Sequence, residues 1–202
     1  MKNIECLIFG STGKLSRTII TSFLKNKFIV HGVSKKSRSK FQSLQYKHYL
    51  FNITNKLNKK IKKILLSKDL RFIIFCINKK EKNKNLEYDL SLLLKYHLFF
   101  PIRIAKFLKN KKNIKIILIN SDSIFDNKVN FPYSASKLLS VYFIKYAQKL
   151  FPKLKFFSII LGKPNNQVLK KLGLLINNII KNHSKYNSMN FLVEKKGLKF
   201  KI

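Results

Sequence analysis

The chain has 202 residues, with 43 lysines and arginines against 8 acidic residues and a formal net charge of +35. This length supports one domain with a sizeable core rather than two, and no uninterrupted apolar run is long enough to span a bilayer. Two cysteines and four scattered histidines (His31, His48, His97 and His183) exclude a disulfide framework and offer no metal-ligand spacing.

Taken in chain order, the elements alternate. Ile4–Phe9 is a short, mostly apolar strand pattern, entered without a secretory leader, so a cytoplasmic location is expected. Gly10-Ser11-Thr12-Gly13-Lys14-Leu15-Ser16 follows at once, and residues 18–24 carry helical spacing. Strand, glycine turn and helix open a dinucleotide-binding βαβ unit. Gly10 permits the tight turn, and Gly13 lets backbone N–H groups approach a pyrophosphate at the helix N-terminus. Ser16 takes the third small position, where helix packs on strand.

Phe28–Val33 reads as the second strand and runs into Ser34-Lys35-Lys36-Ser37-Arg38. This loop has no acidic residue to accept from a free ribose 2′-hydroxyl, whereas Ser34 and Lys35 suit a 2′-phosphate. NADP(H) is therefore expected, with NAD(H) as the alternative. Tyr46–Phe51 is a weaker third strand followed by Asn52, and Lys56–Leu66 is a lysine-faced helix. Phe72–Ile77 is the fourth strand. Cys6 and Cys76, on the first and fourth strands, are expected to be buried free thiols. Tyr88–Leu108 carries a long helical pattern that Pro101 kinks or breaks.

The fifth strand, rich in isoleucine, delivers Ser121 to its C-terminal end, and Tyr133-Ser134-Ala135-Ser136-Lys137 opens the next helix. Tyr133 and Lys137, four residues apart, share one helix face. An ammonium beside a phenol favours the phenolate, and Ser121 can hydrogen-bond the same oxygen that Tyr133 protonates. This is a carbonyl-reducing arrangement, with Ser123 as the alternative to Ser121. In a chain this rich in lysine, Tyr-x-x-x-Lys alone means little; the order of strand, serine, loop, tyrosine, lysine and apolar helix gives it weight. The helix runs to about Leu150, Lys155–Leu161 is a sixth strand ending at Gly162, and a helix carrying Leu169, Leu172, Leu175, Ile176 and Ile179 follows. Phe191–Ile202 alternates loosely. The pattern argues an α/β fold: a doubly wound parallel sheet with right-handed crossovers and helices on both faces, one domain over residues 1–202.

From about Asn3 to Gly162 these segments resemble the short-chain dehydrogenase/reductase family. The glycine segment is similar to the Gly-x-x-Gly-x-x-Gly form of its extended and atypical members, with Ser16 in the last place. Ser121, Tyr133 and Lys137 are spaced as in its shorter reductases. Asn120-Ser121-Asp122-Ser123-Ile124-Phe125-Asp126 is similar to the strand-end segment of its nucleotide-sugar reductases. The resemblance implies a Rossmann-type fold and a nicotinamide cofactor, with Tyr133 as acid/base, Ser121 orienting a carbonyl and Lys137 holding the ribose. It places Gly10, Ser11, Thr12, Gly13, Leu15, Ser34, Lys35, Asn52, Cys76, Ile77, Lys137 and Gly162 against the cofactor, and no metal. Four positions depart from the family. Phe75-Cys76-Ile77-Asn78-Lys79 stands for its Asn-Asn-Ala-Gly run. His97 takes the place of the helix asparagine that supports a proton-relay water, and Asn52 that of an aspartate near the adenine. Leu161-Gly162-Lys163-Pro164 replaces its Pro-Gly turn beside the nicotinamide.

The expected substrate is a small carbonyl compound, a keto thioester or alternatively a nucleotide sugar. The surplus apolar residues of the two long helices, Leu92, Leu93, Leu94, Phe99 and Phe100 on one and Leu138, Leu139, Val141, Tyr142, Phe143, Tyr146 and Leu150 on the other, fit the family's pairing into homodimers or homotetramers. Two other classes compete: a degenerate cofactor-binding or interaction module without turnover, and a polyanion-binding protein. Only four of the 43 cations are arginine, the lysines spread along the whole chain, and Ile, Asn, Phe and Lys are all abundant, as A/T-biased codons produce. No specific nucleic-acid partner and no membrane are therefore expected.

Overall fold

In the computed structural model, residues 4–35, 41–77, 85–121, 131–182, 189–193 and 198–201 are described. Short apolar segments form the strands β1 (Glu5–Phe9), β2 (Ile29–Ser34), β3 (Tyr46–Leu50), β4 (Leu70–Phe75), β5 (Ile114–Ser121), β6 (Leu154–Leu161), β7 (Met189–Val193) and β8 (Leu198–Lys201). They make one sheet in the order β3-β2-β1-β4-β5-β6-β7-β8. Strands β1 to β7 are parallel, and β8 turns back antiparallel on β7. The doubly wound sheet expected from the alternating pattern is thus present, extended at one edge where the loose alternation after residue 190 becomes two strands.

Helices α1 (Lys14–Lys25), α2 (Lys59–Leu66), α3 (Leu86–Leu94), α4 (Phe100–Phe107), α5 (Phe131–Leu150) and α6 (Asn166–Lys181) cover both faces. Successive side chains of a strand point to opposite faces, and both sets here are apolar. Cys6 and Ile8 join Phe72, Ile74, Ile117 and Ile119 beneath α1 and α6, which contribute Ile19, Phe23, Leu172 and Ile176. Leu7 and Phe9 join Ile73, Phe75, Ile116 and Leu118 beneath α2, α4 and α5, which contribute Ile61, Leu65, Ile104, Phe143 and Ala147. Both cysteines are buried and free.

The pattern from Tyr88 to Leu108 resolves into α3, a π-helical turn (Lys95–Phe99) and α4. Pro101 has no N–H to give the carbonyl four residues back. The turn widens just before it, and the Phe100 amide donates to the Lys95 carbonyl, five residues earlier. The extra residue leaves His97 buried, toward α5, while Phe100 packs in the second core. The Phe100 ring lies 4.9 Å from Phe9, 5.7 Å from Phe75 and 6.2 Å from Phe51. Phe100→Ala should therefore lower unfolding free energy by about 3–5 kcal/mol, measured by urea denaturation. A loss of about 1 kcal/mol or less would mean that the ring does not pin α4 to the sheet.

Candidate active site

The candidate residues gather along one edge, the C-terminal ends of the parallel strands. Gly10 follows β1, Lys35 follows β2, Asn52 lies beyond β3, Cys76 and Ile77 follow β4, Ser121 ends β5 and Gly162 follows β6. Chain order reverses between β1 and β4, the position at which open α/β sheets form their binding crevice. Gly10 has φ +81°, and a Cβ there would stand 2.5 Å from the Cys76 carbonyl oxygen. No other residue fits this turn. The Gly10 and Ser11 amides both donate to the Val33 carbonyl, at 2.8 and 3.2 Å.

Gly13 is different. It is the extended N-cap of α1, and a Cβ there would meet nothing closer than Ser16 Oγ at 3.8 Å. The fold itself does not require this glycine; the open space over it does suit a ligand that approaches the backbone. Asparagine side chains cap α2, α3 and α6 through Asn58, Asn85 and Asn165. In contrast, α1 has no side-chain cap and no acidic residue in its first turn, which leaves N–H groups for an anion. Ser11 Oγ is buried with no hydrogen-bond partner among the described residues. Buried Ser16 fills the third small position, its hydroxyl donating to the Gly13 carbonyl at 2.7 Å. These features fit a pyrophosphate, with half-buried Thr12 beside it.

Leu15, Cys76, Ile77, Ser121, Tyr133, Lys137 and Gly162 line one cleft. On α5, Tyr133, Ser136, Lys137 and Ser140 recur at i, i+3, i+4 and i+7, and all four are buried against the sheet. The Lys137 ammonium donates to the carbonyls of Ile77 (3.0 Å) and Ile119 (2.9 Å). Burial pushes its pKa down to about 8, against an opposing influence from Cys76. Burial likewise raises the Cys76 thiol to about 12, so it is inert as a nucleophile.

His97 Nδ1 lies 2.8 Å from Ser136 Oγ, and the Ser136 hydroxyl lies 2.8 Å from the Tyr133 carbonyl. A carbonyl only accepts, so Ser136 is the donor in its contact with Tyr133. The His97 ring also interacts with the Ile77 backbone by a hydrogen bond. His97 lines a small cavity with Ile77, Asn120 and Lys137. Burial and then the neighbouring Lys137 charge hold the His97 pKa well below that of a free imidazole. The ring is neutral and sits edge-on to Tyr133, 5.7 Å between centroids.

Ser136, Ser140, Asn120 and Ser158 were not singled out by sequence reasoning. Asn120 donates to Ser158 at 2.9 Å and accepts from Ser140 at 2.8 Å, docking α5 onto β5 and β6. The available signal was a serine three and seven residues after Tyr133, on a face otherwise expected to be apolar. At the other end of the edge, Lys35 and Asn52 line a cavity of about 290 Å³ with Leu50, Phe51, Asn55, Lys56 and Asn58. Ser34 lies beside it but is buried, its hydroxyl 3.0 Å from His48 Nε2. Ser123 and Lys36–Arg38 lie outside the described residues. Among the described residues no cluster of metal ligands occurs and no helix is long and apolar enough to cross a membrane.

The buried Lys137 has a pH signature. The unfolded chain keeps this proton up to the ordinary value of 10.5, whereas the folded chain releases it near 8. Between these values the unfolded state binds more protons, so stability rises with pH and is lost again as pH falls through 8. The wild type should gain on Lys137→Met by at most about 3 kcal/mol between pH 8 and 10.5, read by urea unfolding. A difference that stays flat would contradict the burial of the ammonium.

No family model matches the sequence, and no curated protein matches it. The fold, however, is shared with solved structures. A Brucella ovis oxidoreductase of the short chain dehydrogenase/reductase family, in complex with partially ordered NAD, superposes with a TM-score of 0.78 at 12% identity, over 95% of this chain and 100% of that one. A Leptospira borgpetersenii short chain dehydrogenase with bound NAD+ gives 0.79 at 17%, over 96% and 92%. The FolM alternative dihydrofolate reductase from Brucella suis, in complex with NADP, gives 0.74 at 13%, over 96% and 95%. The protein described here thus has the Rossmann-type α/β fold of the short-chain dehydrogenase/reductase structures.

Proposed function

We propose that this protein is an NADP(H)-dependent oxidoreductase that interconverts a carbonyl and an alcohol on a small molecule. The observation that carries this reading is that Ser121, Tyr133 and Lys137 share one cleft with Leu15 of the glycine-turn helix and with Gly162. The glycine turn and the N-terminus of α1 would hold the pyrophosphate, and the cavity at Lys35 and Asn52 the adenosine end. Among the described residues no acidic side chain lines that cavity, whereas Lys35 and Lys56 do, which supports a 2′-phosphate. Bound NADPH supplies the hydride for the carbonyl carbon.

The chain's own residues supply the rest. Ser121 donates to the substrate oxygen and fixes its direction. Tyr133 delivers a proton to that oxygen as the alcohol forms. Lys137 has, beyond its two carbonyl partners among the described residues, a third N–H to offer the cofactor ribose. His97 completes the inner end of the site as a neutral imidazole beside Lys137. Burial and the adjacent Lys137 charge keep the ring neutral, so it serves by hydrogen bonding and not by taking up a proton. Ile77, Leu161 and Pro164 give the cleft apolar walls, which suits a small carbonyl compound such as a keto thioester, with a nucleotide sugar as the alternative.

Tyr133→Phe should abolish NADPH-dependent reduction across a panel of small ketones and keto thioesters while leaving NADPH affinity within about twofold. Turnover equal to wild type would remove the tyrosine from its role. In parallel fluorescence titrations NADPH should bind more tightly than NADH; the reverse order would sink the 2′-phosphate assignment, and no binding of either would sink the oxidoreductase reading.

The same reading includes self-association. On α5, Leu139, Tyr142, Tyr146 and Leu150 form an exposed stripe, and Phe99 and Phe107 are exposed on the neighbouring helical stretch. An apolar stripe on two adjacent helices suits a second copy of the same surface. Sedimentation equilibrium should give a dimer or tetramer, and Tyr146→Glu should shift it toward monomer. A wild type that is monomeric while folded would refute the pairing.

A further inference from the structure

Arg103, on α4, reaches across the molecule to a loop about fifty residues earlier in the chain. Its Nη2 donates to the carbonyls of Ile53 (2.8 Å) and Asn55 (3.0 Å), both in the connection between β3 and α2. That connection is already turned on itself. The Thr54 amide donates to the Asn52 side chain at 3.3 Å, and the Asn55 amide to the Asn52 carbonyl at 2.9 Å. Asn52 and Asn55 in turn line the cavity that also holds Lys35 and Lys56. Beneath the guanidinium lies the Phe100 ring, 5.0 Å away, and Phe100 packs on Phe51, another wall of the same cavity.

The choice of residue is informative. Lysine serves for 39 of the 43 cations in this chain, since only four are arginine. An ammonium can also bridge two carbonyls, as Lys137 does; what the guanidinium adds is a flat, weakly hydrated face that lies on the Phe100 ring while one terminal nitrogen makes both bonds. The side chain is held there although its Nε–H is buried without an acceptor among the described residues. An orphaned donor is costly, so the two carbonyl contacts and the ring must hold the fork in place.

We propose that Arg103 is a positioning residue for the adenosine end of the dinucleotide site: it fixes the Asn52–Asn55 loop from behind and thereby sets the shape of the cavity between Lys35 and Lys56. The inference rests on the cofactor reading given above. It predicts an effect confined to one half of the ligand, because Arg103 contacts the loop of the adenosine-end cavity, whereas the nicotinamide-side cleft is lined by Leu15, the residues after β4, β5, α5 and Gly162.

The test uses three probes on the full chain: NADPH, adenosine 2′,5′-bisphosphate for the adenosine half, and reduced nicotinamide mononucleotide for the other half. Arg103→Met should weaken NADPH and the bisphosphate by about tenfold or more while leaving the mononucleotide within about twofold. Arg103→Lys, which keeps the charge but not the fork, should show a smaller loss with the same split. If the methionine variant does not fold, the lysine variant decides. Bisphosphate affinity equal to wild type in a folded variant would overturn the inference, as would equal losses for both halves, which denote general loosening of the fold. A wild type that binds neither NADPH nor the bisphosphate would overturn the cofactor reading itself, and this inference with it.

Discussion

The Lys137 ammonium is buried where β4 and β5 end, held by the Ile77 and Ile119 carbonyls. Burying a cation is costly unless it is well bonded, and these two acceptors offset the loss of water. They also fix the rotation and height of α5 over the sheet. Tyr133 lies one turn earlier on the same face, so the contact that holds the lysine also aims the tyrosine at the cleft that Ser121 borders. Ser136 and Ser140 extend the lock along the helix, through His97 on one side and Asn120 on the other. Chemistry and docking therefore use one helix face, and neither can shift without the other.

A second constraint runs along α4. Pro101 removes a backbone donor, the helix answers with a π turn, and that turn carries His97. Two residues after the proline, Arg103 grips the loop at the far end of the edge. Phe100 stands between them in the core with Phe9, Phe51 and Phe75. One short helix thus braces the tyrosine end and the lysine-lined end of the proposed cofactor site.

Much of this was legible in the sequence wherever the signal was local. The apolar run, glycine turn and helical spacing of residues 4–24 specify β1, the turn and α1 without reference to anything distant. The same holds for β5, Ser121 and the spacing of Tyr133 and Lys137. Contacts between distant segments were not legible. The bond from Ser136 to His97 spans 39 residues, and nothing in the periodicity of either segment announces it. Arg103 is silent for the same reason: its acceptors are backbone carbonyls, which leave no trace in residue type. Pro101 signalled a break, but only packing decided that the break would be a π turn burying a histidine. The strands β7 and β8 alternate too loosely to be read before the edge of β6 gives them something to pair with.

The central claim is that the glycine turn and the Tyr133 cleft are two ends of one dinucleotide site. A crystal structure of the protein soaked with NADPH tests it most directly. The expected result is a pyrophosphate over Gly10–Gly13, the nicotinamide beside Gly162, and the Tyr133 hydroxyl turned into the cleft with Ser121. A cofactor bound elsewhere, or a glycine turn filled by the chain's own side chains with Tyr133 facing away from the cleft, would contradict it.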